Sequence, residues 1–247
     1  MSDEYAPIRR RKLSHDVEER LLAIVERGDL KPGDTLPSER QLMEAYGVGR
    51  PAIREALQNL QRMGLIEIRH GERPLVAAPS IDRVFGQLGN TVRHMLSHSE
   101  SNLKHLKEAR ATFEMEMARI AARQRTASDI AMIETILRKQ SEAASDHQRF
   151  LAHDGEFHVA IARISGNPIF ASLCEALFDW LAHFHIDLVS QPGLEALTLA
   201  EHREILTAIE NGDENAAAKA MKDHLYRANR LYHQKHLHPD RQEQKAP

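Results

Sequence analysis

The chain has 247 residues, with 33 Lys and Arg against 36 Asp and Glu, a formal net charge of −3. An apolar fraction of 42% can build real cores in one large or two smaller domains, and 12 Gly, 10 Pro and 5% aromatics favour helices over a sandwich or barrel. A single cysteine, Cys174, excludes a disulfide framework and any paired-cysteine zinc or redox motif. No apolar run approaches a membrane span and the N-terminus is polar, so a soluble, cytoplasmic protein is expected.

Charge is unevenly placed. Residues 1–79 hold thirteen charges of each sign, while residues 80–247 carry the whole deficit. Within the neutral first part the basic residues cluster: Arg9, Arg10, Arg11 and Lys12 form a run, read either as a solvated tail or as a basic arm.

After that run, Leu13–Arg27 repeats apolar residues at helical spacing, with Ser14 the candidate N-cap. Gly28 and Lys31-Pro32-Gly33-Asp34 stop it. A second helix is predicted from Ser38, a cap with Glu39 in the first turn, with Leu42, Met43 and Ala45 facing inward. The turn Tyr46-Gly47-Val48-Gly49 leads into a third helix with Pro51 early and Ile53, Ala56, Leu57 and Leu60 buried. Strands are expected over Leu65–Arg69 and Leu75–Ala77, joined by a tip at 70–74. Three helices and a hairpin in under 80 residues are the layout of a winged helix-turn-helix.

From Pro79 a connector is expected, with a helix over Arg83–Leu96. Helices follow over Leu103–Arg123, Ser128–Ala144, Phe150–Ile164, Pro168–Val189, Leu194–Asn211 and Glu214–His233. Short loops between them predict an antiparallel all-α bundle, with any site built from inward side chains. The fold class is therefore mainly α.

Four residues in this part have metal-ligand chemistry. Asp154 and His158 are i,i+4 on one predicted helix, and His202 and His224 lie on the last two. One carboxylate and three imidazoles suit zinc or another divalent first-row metal. The rival is that these are ordinary members of a population of 15 His.

Two motifs carry a family resemblance. Leu36-Pro37-Ser38-Glu39-Arg40 followed by Gly47-Val48-Gly49-Arg50-Pro51-Ala52-Ile53-Arg54-Glu55-Ala56-Leu57 resembles the signature of GntR-family bacterial transcription regulators. It departs at Gly49, where Ser or Thr is usual, and in the wing, His70-Gly71-Glu72-Arg73. The resemblance implies contacts to double-stranded operator DNA from Arg40, Arg50, Arg54 and the wing-tip His70. Arg50 and Arg54 share a face at the start of a recognition helix, where an Arg fork can reach guanine O6 and N7, and Arg40 suits a phosphate. The alternative is surface pairing of these arginines with Glu39, Glu44 or Glu55.

The second motif is Asp154-Gly155-Glu156-Phe157-His158, with Glu201-His202-Arg203-Glu204-Ile205-Leu206 and Met221-Lys222-Asp223-His224. It resembles the FCD effector domain of the FadR subfamily of GntR regulators. That resemblance implies a metal at Asp154, His158, His202 and His224, and an effector contact from Arg110, which can also pair with Glu114 at i,i+4. It divides the chain into a basic arm (1–12), a winged helix-turn-helix domain (13–79), a connector (80–100), an FCD-like effector- and metal-binding domain (101–235) and a polar tail (236–247).

A narrower similarity, in Gly71-Glu72-Arg73, Pro79-Ser80, Gly166-Asn167-Pro168-Ile169-Phe170 and Asp179-Trp180-Leu181, is to the sialic-acid-responsive repressors of this family. It implies N-acetylneuraminate as effector and a homodimeric repressor, with lactate, sugar acids, citrate or the metal itself as alternative signals. A metal-dependent enzyme using Glu156 or Glu201 as base is a remote alternative, because it leaves the first 79 residues without a purpose.

Overall fold

The computed structural model describes residues 12–69, 71–189 and 194–237. Arg9–Arg11 of the expected arm, the wing-tip His70 and residues 238–247 of the expected tail lie outside the described residues. In chain order the elements are α1 (Leu13–Glu26), α2 (Glu39–Tyr46), α3 (Arg50–Arg62), β1 (Ile66–Glu67), β2 (Leu75–Val76), α4 (Ile81–Ser97), α5 (Glu100–Gln124), α6 (Ala127–Glu142), α7 (His147–Arg163), α8 (Pro168–Val189), α9 (Leu194–Glu210) and α10 (Glu214–Leu237). The chain divides into two compact units, Met1–Val84 and Phe85–Pro247. Among the described residues no helix is long and apolar enough to cross a membrane.

In the first unit α3 packs on α1 and α2, and its predicted inner face, Ile53, Ala56, Leu57 and Leu60, is buried throughout. Ser38 starts α2 with a complete capping box. Its Oγ accepts from the Gln41 amide while Gln41 Oε1 accepts from the Ser38 amide, so two of the helix's orphan donors are satisfied. Gly47 ends α2 in the left-handed region at φ 64°, which turns the chain into α3 within three residues.

Three local expectations are corrected. Ser14 does not cap α1: Lys12 occupies that position without a side-chain bond, and Ser14 is buried one residue inside the helix. Ala45 faces solvent, while Leu42, Met43 and Tyr46 of α2 reach the core. The hairpin strands have two residues each, paired Ile66 with Val76 and Glu67 with Leu75. The next pair in that register would place Pro74 opposite Ile68, and a proline has no N–H to continue the ladder. The Pro74 carbonyl instead accepts from Leu36, and Thr35 bridges Leu75, so the segment before α2 supplies a further pairing on the wing.

In the second unit α5 is the central helix, packed against α7, α8, α9 and α10. Its buried Ala111, Ala118, Ala121 and Ala122, with Ala217 and Ala218 of α10, let the two backbones approach closely. Phe157, Ile161, Ile205, Ile209 and Met221 complete the main core. The expected connector segment carries α4, whose Phe85, Val92 and Leu96 join Trp180 and Leu181 in a second cluster. Thr126 caps α6 through a box with Asp129, and Asp146 caps α7. With that cap, α7 begins three residues before its predicted start, and His147 is half-buried.

Candidate functional site

The first unit presents a basic face. Arg40, Arg50 and Arg54 are all strongly exposed. Ser38's capping places Glu39 in the first turn of α2, where its carboxylate meets both arginines of α3: Oε2 lies 3.7 Å from Arg50 Nε and Oε1 3.6 Å from Arg54 Nε. Arg40 pairs with Glu44 at 3.3 Å. The pairing anticipated as the bland alternative is therefore present, but exposed pairs of this kind are worth only ~0–1 kcal/mol and are readily exchanged for a phosphate or a base edge. A groove between α3 and the hairpin is lined by Arg54, Gln58, Glu72 and Arg73. Gln58 was not singled out in the sequence; its position one turn after Arg54 was the available signal.

The second unit gathers the other candidates from α5, α7, α9 and α10. The three imidazoles of His158, His202 and His224, all buried, each offer a ring nitrogen, and these nitrogens lie within 4.8 Å of one another. Asp154 borders them: Oδ1 is 3.5 Å from His202 Nε2 and Oδ2 is 3.9 Å from His158 Nε2. Neither Nε2 makes a hydrogen bond among the described residues, although both are buried.

The Nδ1 atoms each lie within 2.9 Å of a side-chain oxygen. His158 Nδ1 lies 2.5 Å from Glu114 Oε2, His224 Nδ1 is 2.8 Å from Glu201 Oε2, and His202 Nδ1 is 2.9 Å from Gln140 Oε1. This is the pattern of metal-ligating histidines, whose second ring nitrogen is tied to an oxygen. Two buried imidazole nitrogens without partners are costly unless a cation accepts them, so the residues present fit a divalent metal.

Each of the two carboxylates is backed by an arginine. Arg110 Nε donates to Glu114 Oε1 at 2.5 Å, and Arg227 grips both oxygens of Glu201 while also reaching Thr198. Burial opposes ionisation of Glu114, but the Arg110 charge and then His158 outweigh it and hold the carboxyl well below its usual range. Burial likewise opposes ionisation of Glu201, and the hydrogen bonds from His224 and Arg227 prevail. Burial pushes His202 well below the ordinary histidine value, followed by repulsion from His224 and His158. The neutral form is the one that ligates metals.

Arg110 is buried, with its guanidinium carbon 5.3 Å from the centre of the Phe178 ring. Among the described residues it donates to Glu114 through Nε, whereas the Arg227 fork is closed on Glu201. Gln140 and Arg227 were missed in the sequence. Gln140 continues the buried stripe Ile130, Ile133, Leu137 on α6, and a polar residue at an inward position was its signal. Neither carboxylate proposed as an enzymatic base is placed for one: Glu156 is exposed and pairs with His153, and Glu201 is fully engaged.

Residues 13–76 match the bacterial regulatory proteins of the gntR family, and residues 105–227 match the FCD domain. The chain is 38% identical over 227 residues to the HTH-type transcriptional repressor NanR of Edwardsiella tarda, an alignment covering 89% of this chain and 85% of that protein. It is 36% identical over 229 residues to the NanR of Citrobacter rodentium, covering 92% and 88%. Among solved structures it is similar to a Streptococcus agalactiae GntR protein at TM-score 0.59 and 27% identity, covering 88% of this chain and 99% of that one. E. coli McbR/YncC, at TM-score 0.53 and 19% identity over 92% of this chain and 100% of that one, shares the fold. With a winged helix-turn-helix matching one family throughout and a helical unit matching its companion domain, the chain belongs to the GntR family of bacterial regulatory proteins, in the branch that carries an FCD domain.

Proposed function

We propose that this protein is a metal-bound transcriptional repressor whose operator affinity falls when its FCD domain binds a carboxylate, N-acetylneuraminate. The observation that carries the effector half is the chain Arg110–Glu114–His158, which joins a buried guanidinium to the imidazole cluster. Asp154, His158, His202 and His224 hold the metal, zinc by the character of three imidazoles and one carboxylate. When bound, the metal supplies a Lewis-acidic position for an effector oxygen.

Charge balance supports an anionic effector. Glu114 and Glu201 are each paired with an arginine, whereas Asp154 borders the imidazole cluster without one. A dication there brings the cluster to a net positive charge, which one carboxylate neutralises. The terminal nitrogens of Arg110 are suited to the second oxygen of that carboxylate. The sequence resemblance described above implies a nine-carbon sugar acid over smaller acids, and the similarity to the NanR repressors is in keeping with it.

Arg50 and Arg54 read bases in the major groove, Arg40 takes a phosphate, and His70 reaches from the wing. A homodimer presents two such domains to two half-sites, with the basic arms adding phosphate contacts. The effector shifts the equilibrium only through unequal affinity for the DNA-competent and DNA-incompetent arrangements.

The test is fluorescence anisotropy of zinc-loaded protein on its own promoter DNA, titrated with N-acetylneuraminate. Release by the sugar acid is expected. Specific binding indifferent to it, but released by lactate or citrate, would replace the effector; release on adding zinc to the metal-free protein would make the metal the signal. Loss of all specific binding would overturn the regulator.

A further inference from the structure

The three imidazoles differ in what holds them. His158 and His224 each face a carboxylate that an arginine neutralises, whereas His202 faces Gln140, a neutral amide that is fully buried. Gln140 stands on α6, a helix that contributes none of the candidate ligands. Its two ends touch two of them: Nε2 donates to Asp154 Oδ1 at 3.2 Å, and Oε1 lies 2.9 Å from His202 Nδ1.

These contacts remove a freedom that an amide and an imidazole usually have. An ionised carboxylate only accepts hydrogen bonds, so the Gln140 NH2 group must face Asp154. Its oxygen is then left for His202, and an oxygen can only accept. A neutral His202 must therefore donate from Nδ1, and its Nε2 then carries a lone pair rather than a proton. That Nε2 is buried, makes no hydrogen bond among the described residues, and lies 3.5 Å from Asp154 Oδ1. Two lone-pair atoms facing each other in a buried place repel unless a cation lies between them. One side chain thus sets both partners in the electron-donating state, at a distance suited to a shared positive ion.

We infer that Gln140 is a positioning residue of the metal centre, holding the Asp154 carboxylate in place and fixing the His202 tautomer with Nε2 free to ligate. The inference rests on the metal-centre reading above and adds to it a residue outside the ligand set. Outer partners of this type typically change metal affinity ~10–100-fold when removed.

The test uses the full-length protein in two measurements. The first needs no variant: long-range 1H–15N correlation spectra of the metal-free, histidine-labelled protein, with His202 assigned by comparison with His202→Asn, report which ring nitrogen is protonated. A proton on Nδ1 is expected; a proton on Nε2 would overturn the inference. The second is competition titration of zinc and the visible absorption of the cobalt(II) form, in the wild type and in Gln140→Met, with circular dichroism and operator binding as checks on folding. Gln140→Met is expected to bind zinc ~10–100-fold more weakly and to alter the cobalt spectrum. Affinity and spectrum both unchanged, with the wild type binding normally, would remove the role of Gln140 alone. A wild type that binds no metal would overturn the metal centre and this role with it.

Discussion

The Phe178 ring occupies the space that a side chain on Gly155 would need: a Cβ built there would lie 2.8 Å from Phe178 Cε1 and 2.9 Å from Cδ1. Gly155 follows Asp154 on α7, and the same ring also lies against Arg110. The missing methyl group thus lets α8 deliver an aromatic surface beneath the guanidinium assigned to the effector.

Gly155→Ala sets two effects against each other. Helix propensity alone favours alanine by roughly 1 kcal/mol, while overpacking costs about 1–3 kcal/mol. The contact is with the body of a ring, so packing is expected to win, lowering the melting temperature by several degrees and weakening effector binding. A raised melting temperature with unchanged effector affinity would show that the ring moves aside freely.

Metal removal is expected to destabilise the second unit. A ligand that binds only the folded state at 100 times its Kd contributes about 2.7 kcal/mol. Chelation should lower the melting temperature, zinc should restore it, and His202→Ala should abolish the difference. An identical melting temperature with and without zinc in the wild type would count against a metal in this cluster.

Glu114→Gln keeps the shape of the side chain and removes the charge shared by Arg110 and His158. Leaving a buried guanidinium without its counter-ion costs roughly 3–5 kcal/mol. Calorimetry should show a large loss of stability, with part of it recovered when a carboxylate effector is added. Wild-type stability would mean that Arg110 finds another partner.

The arginines of the first unit should separate by role. Arg50→Ala and Arg54→Ala are expected to abolish discrimination between operator and unrelated DNA. Arg40→Ala should weaken both equally and reduce the salt slope of binding by about one. Anisotropy at three salt concentrations checks this, and retained operator specificity in Arg50→Ala would remove the recognition-helix role.

Lys107 gives a pH signature. Burial, followed by repulsion from Arg110, pushes its ammonium down to about 7 from an ordinary value of 10.5. Below pH ~7 both folded and unfolded chains carry the proton and the penalty is complete; between there and ~10.5 the unfolded chain binds more protons, so stability rises with pH. Lys107→Met should be the more stable protein at neutral pH, with the advantage shrinking by pH 9 in parallel urea titrations. An advantage independent of pH would point to packing instead.

Much of this protein was legible in its sequence because the signals are local. Helical periodicity with Ser38, Gly47 and Pro51 as punctuation located α2 and α3, and the i,i+4 spacing of Asp154 and His158 placed two candidates on one face. The Ser14 cap failed because the helix begins one residue earlier, at Leu13, and Ser14 is buried inside it. The hairpin was shorter than its β-branched pattern because register, which local pattern does not contain, set Pro74 against Ile68.

The sequence by itself determined the order of helices, the winged layout and the residue types able to bind DNA and metal, since these depend on spacing within one element. Tertiary packing alone decided that α5, α6, α7, α9 and α10 converge, so that Gln140 meets both Asp154 and His202 and Arg227 closes on Glu201. The partners of a buried polar group come from whichever elements pack against it, and that choice is made by the burial of apolar faces far from the group itself.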